Sequence, residues 1–109
     1  MNEYPLFQMW YKNLNWILDK CERFPKSVRY SYASKIAQIS ISITELLVEI
    51  IYSKERTVFL KKLNIEFEKL RIFFRLGFDR RYITCRQNEY IQSQINEMGK
   101  MTGGWLKNA

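Results

Sequence analysis

The sequence predicts an all-α protein, an antiparallel up-down-up-down four-helix bundle that assembles into a homo-oligomer. Three observations carry this expectation. Apolar residues recur at alternating steps of three and four through four successive segments, the spacing of one face of an α-helix. No segment alternates apolar and polar residues with the period of a strand, and no repeat or low-complexity tract competes. The backs of two helices carry a second apolar stripe, for which a solitary bundle has no use. A chain of 109 residues makes one domain, with helices expected over 5–24, 31–52, 54–78 and 84–102.

Helix one follows from Phe7, Trp10, Leu14, Ile17, Cys21 and Phe24. Pro25 stops it, because the residue before a proline is pushed out of the α region. The polar FPKSVRYS stretch is the connection, with Ser27 or Ser31 as the N-cap of the next helix. Helix two turns Ile36, Ile39, Ile43, Leu46 and Ile50 inward; its β-branched residues would suit a strand, but their spacing is helical. Helix three has the most regular stripe, Leu60, Leu63, Phe67, Leu70 and Phe74. It then meets Gly77, which either ends the helix as a left-handed cap or softens its last turn. Helix four opens at Thr84, where TCRQ reads as a capping box: the Thr84 hydroxyl accepts from the Gln87 N–H while the Gln87 side chain reaches back. It continues through Ile91, Ile95, Met98 and Met101 or Thr102. Gly103 and Gly104 are expected to end it, letting Trp105 and Leu106 fold back on the last turn.

The second stripe appears when helix three is turned through about 100° per residue from Phe67. Ile65, Ile72 and Leu76 then point almost opposite the core face, with Lys62, Lys69 and Phe73 beside them. Met9 and Trp16 take the corresponding place behind the core face of helix one. Single exposed apolar residues are ordinary, but aligned ones predict a second protein surface, and self-association is its simplest source.

Charge is uneven along the chain. Its formal net value is +7, and residues 54–81 hold nine Lys and Arg against four Asp and Glu. The densest stretch, RIFFRLGFDRRYITCRQ at 71–87, contains five arginines separated mainly by apolar residues. Arginine's planar fork suits bidentate contacts to phosphate or carboxylate and stacking on bases. Cations near a helix C-terminus gain about 0.3–1 kcal/mol from the helix dipole. That accounts for two of the five and leaves the others for an anionic partner.

Chemistry is limited by what the sequence lacks. There is no histidine, which removes histidine nucleases, imidazole metal sites and the Glu-x-x-His di-iron sites of other bundles. Glu45, Glu49, Glu66 and Glu68 do not converge as magnesium chemistry requires, and Glu68 stands three residues from Arg71, a spacing that suits an ordinary ion pair. Neither GFDRR nor MTGGW is a phosphate loop. The expectation is a binding protein, not an enzyme, with no cofactor and no metal. Cys21 and Cys85 match no metal spacing and read as reduced thiols. The N-terminal MNEYPLFQMWYKN is too polar for a secretory signal, and no apolar run approaches the ~20 residues of a membrane span. These features predict a cytoplasmic protein.

Several stretches taken in order, LFQMWYKNLNWIL, FPKSVRYSYASKI, ELLVEIIYS, EFEKLRIFFRLGFDRRYITCRQNEY and MGKMTGGWLK, resemble the accessory variability determinant proteins of diversity-generating retroelements. The similarity spans nearly the whole chain. It implies a ring-like homo-oligomer, a homopentamer of four-helix bundles forming a basic barrel, which binds the retroelement's reverse transcriptase and its template RNA or cDNA during mutagenic retrohoming. The polymerase active site then belongs to the partner. Carried onto this sequence, the resemblance assigns the binding surface to Arg71, Arg75, Arg80, Arg81 and Arg86, with Lys61, Lys62 and Lys69 as further members. The oligomer interface is expected at Met9, Trp16, Ile65, Ile72 and Leu76. A more distant likeness is to the four-helix proteins encoded in intervening sequences of 23S rRNA genes, which would make the chain a general RNA- or ribosome-associated protein. That group carries a SIPSNIAEG-like stretch on helix two, where this chain reads AQISISITELL.

Overall fold

A computed structural model describes residues 3–108. Four α-helices, α1 (Pro5–Glu22), α2 (Ser34–Tyr52), α3 (Thr57–Asp79) and α4 (Cys85–Lys107), account for most of them, and none of the described residues lies in a strand. Each helix packs on the next, and α1 also packs on α4, closing a four-cornered bundle of 43 × 24 × 22 Å. Across the diagonal, Trp10 of α1 meets Phe67 of α3 edge-on with centroids 6.0 Å apart, and Trp16 meets Phe74 at 6.1 Å.

The core stripe of α3 is the expected one, with Leu60, Leu63, Phe67, Leu70 and Phe74 all buried. On α2 the fully buried leucine is Leu47, while Leu46 is half-buried at the edge. On α1 the buried set is Leu6, Trp10, Asn13 and Ile17, rotated from the expected stripe so that Phe7 and Leu14 lie at its margin. A polar cluster explains the rotation. Buried Asn13 donates through Nδ2 to Gln94 Oε1 at 3.0 Å and to the Met9 carbonyl at 2.9 Å, and it accepts from the Tyr90 hydroxyl at 3.1 Å. Nearby, the Trp10 indole N–H donates to Thr44 Oγ1 at 3.0 Å. Burying an amide without partners costs far more than an ordinary hydrogen bond returns, and among the described residues no buried side-chain polar atom lacks a partner.

The helix ends differ from expectation for identifiable reasons. α1 stops at Glu22 instead of residue 24, its last turn tightening as the Arg23 N–H turns to the Lys20 carbonyl ahead of Pro25. The connection then runs through a short 3₁₀ turn, Lys26–Val28, and a π-helical turn, Arg29–Ala33, so α2 begins at Ser34 and not at 31. α3 begins at Thr57 and not at 54 because Arg56 closes the end of α2, donating through its guanidinium to the Ser53 carbonyl at 3.2 Å and the Ile51 carbonyl at 3.3 Å. Gly77 does not end α3. It is a buried interior position of a helix that continues to Asp79. α4 likewise runs straight through Gly103 and Gly104 to Lys107. Trp105 holds that extra length by stacking on Tyr4 at 5.7 Å and lying 5.2 Å from the Arg56 guanidinium. The capping box at Thr84 forms as expected, with Gln87 N–H to Thr84 Oγ1 at 3.1 Å and Thr84 N–H to Gln87 Oε1 at 2.9 Å.

Candidate functional site

Two connections meet at one end of the bundle. Phe24, Tyr32 and Tyr82 form an aromatic cluster with centroids 5.4 Å (Phe24 to Tyr32), 5.2 Å (Tyr32 to Tyr82) and 6.2 Å (Phe24 to Tyr82) apart. The cluster fastens the α1–α2 connection beside the α3–α4 connection. The first carries Arg23, Lys26 and Arg29, and the second, with the first turn of α4, carries Arg80, Arg81 and Arg86; residues 23–30 and 80–88 contain no acidic side chain. All six cations are exposed. Arg23 pairs with Asp19 at 3.6 Å, and the other five cations are flanked by Glu22, Asp79 and Glu89 without interruption, so the end face is a concentration of positive charge.

Two of these arginines are held at local cost. Arg81 has φ 64°, the left-handed conformation that disfavours any side chain by roughly 1–2 kcal/mol and that glycine takes freely. It occupies the closing position of α3: the Tyr82 N–H donates to the Gly77 carbonyl at 2.8 Å and the Arg81 N–H to the Phe78 carbonyl at 3.0 Å, the paired bonds of a Schellman cap. Arg86 stands in the first turn of α4, where the helix dipole opposes a cation. Neither residue is placed there by helix stability. Arg80 follows α3, where the dipole favours it, and hydrogen bonding to the Tyr82 side chain raises its pKa above the ordinary guanidinium value.

The remaining predicted cations lie elsewhere. Arg71 clamps α3 to α4: it is paired with Glu68 at 3.1 Å, it donates to Asn96 Oδ1, and its carbonyl accepts from the Gln92 amide at 2.9 Å. Arg75 pairs with Asp79 at 3.4 Å and Lys69 with Glu66 at 2.8 Å. Lys61 and Lys62 are exposed near the start of α3, about 27 Å along the helix from Arg80. The structure thus brings together Arg80, Arg81 and Arg86, leaves Arg71, Arg75 and Lys69 in ion pairs along α3, and sets Lys61 and Lys62 at the far end.

Comparison with protein families adds a finding of a different kind. A family model described as bAvd-like matches residues 6–109. The chain belongs to the bAvd-like family. None of the curated proteins compared with it matches.

In this bAvd-like chain the cations that sequence reading missed are Arg23, Lys26 and Arg29. The signal that could have found them is the run RFPKSVRY, as free of acid as RRYITCRQN. Joining the two required the aromatic cluster, which no local pattern reveals. Of the expected interface residues, Ile65, Ile72 and Leu76 are exposed on α3, in line with exposed Val58. Met9 and Trp16 are not on an outer face. They are partly buried against the core, with Trp16 5.2 Å from Tyr90, because the rotation of α1 turns them into its seam with α4. Among the described residues no cluster of three or more Cys, Asp or Glu side chains could hold a metal ion. Cys21 and Cys85 are free thiols; burial, with Glu22 nearby, pushes Cys21 up to about 11. No helix of the described residues is long and apolar enough to cross a membrane.

Proposed function

We propose that this protein is a non-catalytic accessory protein of a diversity-generating retroelement, a basic scaffold in the cytoplasm that binds the reverse transcriptase and its template RNA or cDNA. The observation that carries this reading is the end face of Lys26, Arg29, Arg80, Arg81 and Arg86, drawn from two stretches without acid, in a chain of the bAvd-like family. Phosphate neutralisation by such a face releases counterions, so binding is weakly dependent on sequence and steeply dependent on salt. Arg81 and Arg86, retained where the local backbone disfavours them, support a surface selected for contact and not for stability.

The same reading has the helices run antiparallel in up-down-up-down order. Tyr4 lies against Trp105 while Trp16 lies against Tyr90, a register that suits antiparallel α1 and α4. It also has the bundle assemble into a homopentameric ring, an assembly supported by the exposed apolar stripe of α3.

The test is a pull-down of the reverse transcriptase encoded beside this gene, with a filter-binding titration of its template RNA. Replacing Arg80, Arg81 and Arg86 with Ala is expected to leave helical circular dichroism intact and to weaken both captures at least ten-fold. Replacing Lys61, Lys62 and Lys107, exposed and remote, is the charge-matched control. Equal losses in the two triple variants would mean that only net charge matters; undiminished binding by the arginine variant would remove the end face from the function.

A further inference from the structure

The α1–α2 connection carries a feature that the arginines of the α3–α4 connection lack. Tyr30 is 92% exposed, the most exposed of the large apolar side chains among the described residues. It follows Arg29 directly, and Lys26 and Arg23 precede it in a stretch without acid. The π-helical turn Arg29–Ala33 divides its side chains sharply: Tyr32 and Ala33 are buried while Arg29, Tyr30 and Ser31 are turned out. π-helical turns are rare and are found frequently at functional sites. Tyr30 makes no ring contact among the described residues; with Arg29 it stands at a cleft that Leu18 and Ala33 also line, and there it offers a flat face to an aromatic ring. Tyr32, its near neighbour, belongs to the cluster that holds this connection against Tyr82, so Tyr30 stands on the end that also bears Arg80 and Arg81.

Building on the nucleic-acid reading above, we infer that Tyr30, with Lys26 and Arg29, forms a base-stacking platform for single-stranded nucleic acid, completing the end face begun by Arg80, Arg81 and Arg86. Stacking platforms set in positive charge are how proteins hold unpaired strands without reading sequence: the cations track phosphates and the ring accepts the face of any base. A duplex has no free base face to offer Tyr30, and its phosphates meet the cations alone. The platform therefore makes the surface selective for unpaired over paired strands. An acidic protein segment would use the cations equally well but would leave the exposed ring without a role.

The experiment uses the full chain, a fluorescein-labelled oligouridine and an RNA duplex of the same length, titrated by anisotropy across a salt series. Tyr30→Ala should bind the oligouridine about ten-fold more weakly with an unchanged salt slope, and the duplex as wild type does. Tyr30→Phe should retain wild-type affinity. Lys26→Ala and Arg29→Ala should each lower the slope by about 0.7 for the single strand. If wild type binds oligouridine and Tyr30→Ala binds it equally well, the platform is wrong while the nucleic-acid reading stands. If wild type binds neither probe, both fall together. Native mass spectrometry supplies the last arm: a Tyr30→Ala variant that loses its assembly along with its RNA would make Tyr30 a contact between copies, which also overturns the platform.

Discussion

A β-carbon added to Gly77 would run into the Tyr32 hydroxyl. Tyr32 cannot give way easily, since its hydroxyl donates to the Phe73 carbonyl one turn earlier and its ring is held by Phe24, Phe73 and Tyr82. Burial, followed by the nearby Cys21, raises the Tyr32 pKa, so the phenol keeps the proton it donates. In an open helix interior Gly→Ala would gain about 1 kcal/mol. Here overpacking should win, and Gly77→Ala is expected to destabilise by about 1–2 kcal/mol in urea denaturation. Adding Tyr32→Phe should recover part of that loss, a coupling a double-mutant cycle reads directly. Arg81→Gly should do the reverse, stabilising by about 0.5–1 kcal/mol by relieving the left-handed backbone, while lowering the salt slope of RNA binding by removing a cation. A neutral result for Gly77→Ala would mean that Tyr32 does not fill that space in solution.

At the level of the helix, α4 is the element whose sequence and structure disagree most. Two consecutive glycines near a chain end read as a stop, yet Gly103 and Gly104 are helical and open to solvent, with nothing within 4 Å of an added β-carbon. What overrides the propensity is Trp105, wedged against Tyr4 and Arg56 from two other segments. Gly103→Ala and Gly104→Ala should therefore each stabilise by about 0.5–1 kcal/mol, with each kcal/mol worth about 4–8 °C of Tm in a domain of this size. An unchanged Tm in the double variant would show that the last turns of α4 unfold separately from the bundle. The contrast marks what a sequence can reveal. The α3 stripe and the Thr84 capping box were legible because spacing and local hydrogen bonding determine them. The rotation of α1 toward Asn13, the glycine required by Tyr32 and the helical course of Gly103 depend on partners tens of residues away. So does the end face: Arg80, Arg81 and Arg86 were legible as a local run, while Arg23, Lys26 and Arg29 join them only through the contacts of Phe24 and Tyr32 with Tyr82.

The whole molecule has two different apolar surfaces. One is the α3 stripe of Val58, Ile65, Ile72 and Leu76; the other lies along α1 and α2, where Tyr11, Leu18, Ile41 and Val48 are exposed and where Leu18, Cys21, Ala33 and Ala37 line a cleft that has Arg29 and Tyr30 at the end of the bundle. α1 and α3 stand at diagonal corners, so these surfaces face different ways and cannot both serve one two-fold contact. A ridge on one side and a cleft on the other suit a heterologous contact, which gives the proposed ring where its rotation closes. This arrangement makes a prediction that stoichiometry alone does not. If the proposed ring forms this way, Ile72→Asp should break it from the ridge side and Tyr11→Asp from the cleft side, each giving a folded monomer in native mass spectrometry, because both side chains are exposed within the protomer. Mixed in equal amounts, the two variants retain one intact ridge and one intact cleft between them. They should pair into heterodimers that grow no further, since each dimer ends in two damaged surfaces. Two-fold contacts of like with like would instead leave each variant pairing with itself through its undamaged surface, as homodimers before mixing. Homodimers of the separate variants would thus exclude the heterologous ring, and a wild-type monomer at micromolar concentration would exclude assembly altogether.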